Sequence, residues 1–133
     1  MSVTVGYSNG ATMSYSLNAF LPFEGYRIAF NGELGRLEVR DYERQPWDVS
    51  DETEIHLTTR FDRRQKIEAP LVEGGHGGGD ARLHDTIWRG KESAPYLTLP
   101  DSRAGALSCL TGTAARKSIE EKRTVRIDEL VSF

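Results

Sequence analysis

Up to about residue 71 the apolar side chains recur at alternate positions, and from residue 80 onward they recur at every third or fourth. The first part therefore predicts strands and the second predicts helices. Residues 3–7 and 12–20 flank Ser8-Asn9-Gly10-Ala11, where Asn-Gly can supply the two positive φ angles of a tight hairpin turn. In the second of these strands Met13, Tyr15, Leu17 and Ala19 alternate with Ser14, Ser16 and Asn18, the pattern of a sheet with one dry side. The polar side is small and hydroxyl-rich, and suits a polar ligand or a second subunit as well as it suits water. A second hairpin is expected from residues 26–30 and 36–40 around Asn31-Gly32-Glu33-Leu34-Gly35. Residues 41–51 hold Pro46, Trp47 and many charges without a period, so they read as an excursion from the sheet with Trp47 as a contact residue. Residues 54–59 and 65–71 bring the count to about six antiparallel strands, with His56 on the polar face.

Beyond residue 80 the elements change. Asp80 is expected to cap a helix over 81–89 that Gly90 ends. Pro95, Pro100, Asp101 and Ser102 punctuate the following loop, and a longer helix is expected over 103–116, with Ala104, Leu107, Thr111, Ala114 and Ala115 along one face. Ser118-Ile119-Glu120-Glu121 has capping-box spacing and is expected to open a turn before an edge-like segment at 124–127. Strands first and helices later define an α+β domain with helices on one side of an antiparallel sheet.

Composition narrows the function classes. A chain of 133 residues is expected to be one domain, with 38% hydrophobic and 28% charged residues as in ordinary globular proteins. A formal charge of -3 and scattered Lys and Arg argue against nucleic acid as a partner. No apolar run approaches the roughly 18 residues of a membrane span, and the N-terminus lacks the regions of a signal peptide, so a cytoplasmic location is expected. The single Cys109 excludes an intramolecular disulfide and reads as a small buried hydrophobe. Strand-like sequence begins by Val3 with no lead-in, as expected of a piece of a longer protein.

The candidate chemistry lies in Glu73-Gly74-Gly75-His76-Gly77-Gly78-Gly79-Asp80, where five of the thirteen glycines fall within six positions. So dense a cluster costs conformational entropy and needs a reason. A dinucleotide fingerprint fits in no frame: counting from Gly75, Asp80 stands where the last glycine belongs. A P-loop fails because Asp80-Ala81 replaces its lysine and hydroxyl. His76, Asp80 and His84 stand four residues apart, but three glycines argue against the helix that would align them around a metal, and no metal is assigned. Two readings remain open. In one, His76, Asp80 and the loop amides, Gly77 and Gly78 among them, meet a neutral polar ligand such as a carbohydrate, with His76 as a candidate proton-transfer group. In the other the glycines serve close packing, Asp80 caps the helix and His76 is solvated.

The motifs Tyr15-Ser16-Leu17-Asn18-Ala19-Phe20 with Pro22, Glu24-Gly25-Tyr26-Arg27, Phe30-Asn31-Gly32, Gly35-Arg36-Leu37-Glu38, the glycine cluster, Arg103-Ala104-Gly105-Ala106, Leu110-Thr111-Gly112 and Ser118-Ile119-Glu120-Glu121 follow one another over most of the chain. In order and spacing they resemble the C-terminal domain of Gfo/Idh/MocA-type oxidoreductases. The resemblance implies an open, mainly antiparallel sheet with helices packed on one face. It also implies a parent NAD(P)-dependent dehydrogenase of sugars or polyols, whose second domain provides the substrate site and, through the sheet face, a homo-oligomer interface. His76, Asp80, Gly77, Gly78 and Asn18 would then be substrate-binding residues. The family's N-terminal Rossmann domain, which carries the NAD or NADP and the catalytic lysine, is absent from this sequence, so the chain is expected to bind no cofactor and to be inactive on its own. Asp80 and His84 have the spacing of an Asp-x-x-x-His pair that many relatives carry before the sheet. Here it follows the strands, and that role is not transferred. Two alternatives are a stand-alone hydrolase or lyase that uses His76 with Asp80, and a purely structural oligomerisation domain.

Overall fold

A computed structural model describes residues 1–48, 53–69, 72–90 and 99–131. The chain divides into two compact units, one of residues 1–17 with 90–133 and the other of residues 18–89. Among the described residues six antiparallel strands and two α-helices give the α+β class expected.

In the first unit β1 (Ser2–Gly6) and β2 (Thr12–Ser16) form a two-stranded sheet in which Val3 faces Tyr15 and Val5 faces Met13, with Thr4 opposite Ser14 on the other side. The alternation is as expected, although β2 ends at Ser16 and Leu17 to Phe20 lie beyond it. The turn differs from the Asn-Gly expectation. Of Asn9 and Gly10 only Gly10 takes a positive φ, +87°, while the Asn9 side chain accepts a hydrogen bond from the Ala11 N–H at 3.0 Å. The side chain does part of the turning that a second left-handed residue would otherwise do.

The long helix of this unit runs Ser102–Glu121 and outlasts the expected 103–116, and Cys109 on it is exposed, a correction to its expected burial. Its inward stripe takes in Leu107, Thr111 and Ala115 and centres on Ala114, the one buried apolar side chain among the described residues. Ser118-Ile119-Glu120-Glu121 is the last turn of this helix and opens no turn of its own. The Ser118 carbonyl accepts from the N–H groups of Lys122 and Arg123, closing the helix C-terminally, and Lys122 turns the chain at φ +55°. Ser-x-x-Glu spacing fits a helix interior as well as a start, and here the closure decides. In place of an edge strand the chain then forms a 3-10 turn at Ile127–Glu129 that packs on this helix. Arg123 ties the two together by pairing with Glu121 at 2.6 Å and Glu129 at 2.8 Å.

The second unit is a four-stranded antiparallel sheet in sequential order, β3 (Glu24–Gly32), β4 (Gly35–Arg44), β5 (Glu54–Thr59) and β6 (Arg64–Ile67). Glu33 and Leu34 alone turn the β3–β4 hairpin. The expected excursion from residue 41 is corrected, because β4 continues through Arg44 with Asp41 opposite Tyr26 and Tyr42 opposite Gly25. Trp47 then folds back so that its ring lies 5.6 Å from Phe23 and 5.7 Å from Tyr42, edge to face, a small aromatic cluster at this end of the hairpin. The ends of the expected excursion and of β6, with the loop around Pro95, lie outside the described residues.

The register gives the sheet two unlike faces, since directly opposed residues share a side. Tyr26, Ile28 and Phe30 line up with Leu37, Val39, Ile55, Leu57 and Ile67 on one face. Arg27, Ala29, Arg36, Glu38, Arg40, Glu54, His56, Arg64 and Lys66 occupy the other, so His56 sits on the polar side as its alternation predicts. The short helix of this unit, Gly79–Arg89, follows the glycine cluster, and Gly90 turns out of it at φ +63°.

Candidate functional site

The glycine cluster becomes a tight backbone turn running straight into the short helix. The Gly78 N–H donates to the Gly75 carbonyl at 3.1 Å, the Gly79 N–H to that of His76 at 3.2 Å, and the Arg82 N–H to that of Gly78 at 3.3 Å. Two of the first four amides of the helix, those of Gly79 and Arg82, are thus bonded to carbonyls of the loop, and the Asp80 carboxylate is turned to another partner. Asp80 lies inside the first turn, a correction to its expected place as N-cap.

The carboxylate turns back to His76. Both of its oxygens lie 3.0 Å from His76 Nδ1, a contact that favours the proton on Nδ1 and leaves Nε2 as the working nitrogen. Two glycines make this possible. A Cβ on Gly75 would stand 2.5 Å from Asp80 Oδ2, in the space the carboxylate occupies, and Gly78, at φ +78°, would drive a Cβ to 2.5 Å from Val72 Cγ1. His76 itself has φ +50°, one of three non-glycine residues at positive φ among those described. Histidine is among the residues enriched in that conformation, which still costs it some backbone strain.

The histidine side chain is 87% exposed. Its hydrogen bond to Asp80, and then that carboxylate's charge, raise the imidazole pKa above the usual 6.5. The pair can therefore donate a proton from Nε2 when cationic and accept one there when neutral, to or from a hydroxyl that approaches the open side.

Of the residues expected to bind substrate, the structure brings His76 and Asp80 together. Gly77 is exposed with open space where a Cβ would be, while Gly78 is buried with its N–H engaged within the loop. Asn18 follows β2, exposed, and makes no hydrogen bond to the loop among the described residues. His84 does not join the pair, and no group of three His, Cys, Asp or Glu is placed to hold a metal among the described residues. The loop does not fit the pyrophosphate of a dinucleotide, because the Gly78 and Gly79 amides are already bonded and Asp80 puts a carboxylate at the helix start. The arginines of the sheet's polar face carry no motif. The alternation Arg36, Glu38, Arg40 is the one sequence signal of them.

Among the described residues the open antiparallel sheets, the helices and the histidine-bearing glycine loop that leads into the short helix make up an α+β domain. Residues 1–127 match the family described as "Oxidoreductase family, C-terminal alpha/beta domain", and the chain belongs to this Gfo/Idh/MocA family, whose enzymes are NAD(P)-dependent oxidoreductases. It is 36% identical over 130 residues to the Bacillus subtilis (strain 168) protein named "Putative oxidoreductase YteT", an alignment that covers 95% of this chain and 30% of that protein. No solved structure matches the chain. No helix among the described residues is long and apolar enough to cross a membrane.

Proposed function

We propose that this chain is the substrate-binding and assembly domain of a cytoplasmic NAD(P)-dependent oxidoreductase that acts on a carbohydrate or polyol. In this reading residues 1–133 act as one domain, an N-terminal Rossmann domain binds the nucleotide and accepts or delivers hydride, and the present chain does not turn over alone. The observation that carries the reading is the His76–Asp80 pair, in which the contact through Nδ1 leaves Nε2 of a largely exposed imidazole for a ligand. A substrate hydroxyl is the natural partner of such a nitrogen, and proton transfer from that hydroxyl is what hydride removal from the same carbon requires. Gly77 lies beside the histidine and leaves room for a sugar ring. The apolar face of the four-stranded sheet, where Phe30 is 61% and Ile28 44% exposed, is the surface assigned to a second copy.

The test is direct. Titration of the chain with neutral sugars and polyols should shift the His76 imidazole resonances and the backbone amide resonances of the loop in NMR spectra, and His76→Asn should abolish the amide shifts. NADH added to the chain should not bind. Micromolar affinity for NADH, or sugar binding unchanged in His76→Asn, would overturn the reading. Hydrolysis of a glycoside or ester by the isolated chain, lost in His76→Asn, would favour a stand-alone hydrolase instead. Sedimentation should show self-association that Phe30→Lys weakens, and a strict monomer at high concentration would remove the assembly role.

A further inference from the structure

The polar face of the β3–β6 sheet holds a charge arrangement that neither the fold nor the His76 loop calls for. Arg27 on β3 is directly opposite Arg40 on β4, and two rows along, Arg36 lies on the same side with Arg64 beyond it across β5. Like charges directly opposite one another destabilise a sheet, so such a pair persists at a cost unless something compensates it. The carboxylates nearby are already engaged. Glu38 pairs with Arg36 at 3.0 Å and Arg64 at 3.5 Å, while Glu54 pairs with Arg40 at 3.5 Å. Arg27 has no ion pair or hydrogen bond among the described residues. Ala29, the small residue between Arg27 and Asn31 on this face, lies in a hollow of about 250 Å³ lined by the four arginines, with His56 and the two paired carboxylates, Glu38 and Glu54, also on its wall, so guanidinium groups outnumber carboxylates there four to two.

We propose that this hollow binds a small oxyanion, the carboxylate or phosphoryl head of a small ligand, with Arg27 and Arg40 as its clamp. Two adjacent guanidinium groups offer paired N–H donors in the geometry that carboxylate and phosphate oxygens accept. The size agrees, since the hollow falls below the roughly 300–1,000 Å³ of sites for drug-sized ligands. A second copy is a poorer occupant. A two-fold contact through this face would set the unpaired Arg27 and its neighbours against the same positive patch. The chain as a whole is negative, at -3, so the local excess of guanidinium is not a by-product of a basic protein. The site stands apart from the His76 loop, and its test does not depend on the oxidoreductase reading.

The experiment is thermal unfolding of the full chain with inorganic phosphate and with citrate, each at ionic strength matched by sodium chloride. Saturable stabilisation beyond that of chloride is expected with at least one of the two, and which one acts identifies the head group. Arg27→Gln should raise the Tm of the free chain by about 1–4 °C, because it removes a like-charge pair, and should weaken the anion response at least about 10-fold. Arg89→Gln, whose side chain pairs with Asp85 in the helix, should leave both readouts unchanged. The proposal fails if neither anion stabilises beyond chloride, if Arg27→Gln retains the full response, or if it lowers the Tm of the free chain. It also fails if sedimentation shows a dimer that Arg27→Gln dissociates, since the face then belongs to a second copy.

Discussion

The short and the long helix among the described residues each begin near an aspartate, and the two aspartates do different work. Asp101, in extended backbone at φ -80° and ψ 177°, accepts the Ala104 N–H on Oδ1 at 2.7 Å and is the N-cap of the long helix. Asp80 sits one residue inside the short helix and gives both oxygens to His76. What precedes each residue decides the difference. Before Asp101 stands Pro100, which has no N–H to contribute to a backbone turn, so the side chain must satisfy a free amide. Before Asp80 stand glycines that reach positive φ and close the turn with their own amides. The same residue type caps where the backbone cannot, and where the backbone can, it is released to orient a histidine.

The largest expected effect lies on the histidine that the released carboxylate orients. If the proposed reading holds, loss of the imidazole in His76→Asn should lower kcat/KM of the complete enzyme by about 10²–10⁴-fold, the usual range for a general acid or base. In that reading Asp80 acts through His76 as a positioning residue, so Asp80→Asn is expected to cost less and to reveal itself in the pH profile. The folded pKa of His76 is raised above 6.5 by Asp80, so the charged pair stabilises the loop below pH 6.5. That contribution is lost as pH rises through the folded value, where the neutral, proton-accepting form takes over. Asp80→Asn should move the acidic limb of kcat/KM and the NMR titration of His76 downward toward 6.5. An unchanged titration would show that the two side chains do not interact in solution.

That His76 and Asp80 would be neighbours is only half legible in the sequence. A spacing of four suggests contact in a helix, yet the glycines argue against one, and the contact is made by left-handed turns at His76, Gly77 and Gly78. The hairpins and β5 are legible because their alternation is unbroken. The continuation of β4 is not, because Arg40-Asp41-Tyr42-Glu43-Arg44 is polar on both sides, as strands become where a sheet end meets water. The end of the long helix is hidden for a related reason, since serine and glutamate three apart serve a start or an interior alike. The guanidinium pair on the sheet needs the register of β3 against β4, which no local pattern states.

The cap at Asp101 gives the middle-sized effect. Asp101→Ala should destabilise the chain by about 1 kcal/mol, within the roughly 0.5–2 kcal/mol range of N-cap losses, as read from urea unfolding. Sugar binding at His76 should be untouched. Asp80→Ala should have little effect on the same unfolding curve, because its helix start is held by backbone. If Asp80→Ala proved as destabilising as Asp101→Ala, the carboxylate would be a cap after all and the contrast between the two helices would disappear.

The smallest effect compares two left-handed residues. Lys122 at φ +55° and His76 at φ +50° both occupy a conformation that glycine takes without a Cβ penalty. Lys122 makes no ion pair among the described residues, and its part in ending the helix is the backbone N–H that it gives to Ser118. Relief of an αL penalty of about 1–2 kcal/mol, offset by the roughly 0.5–1 kcal/mol that glycine loses through unfolded-chain entropy, leaves Lys122→Gly more stable by up to about 1 kcal/mol. Chemical denaturation should show the gain with no change in ligand response. His76→Gly relieves the same kind of strain but deletes the imidazole, so binding should vanish while stability holds or rises. A fall in stability at low pH, with recovery above the raised histidine pKa, would mean that the charged pair with Asp80 outweighs the strain it imposes. The histidine would then be held in place for the fold as much as for its chemistry.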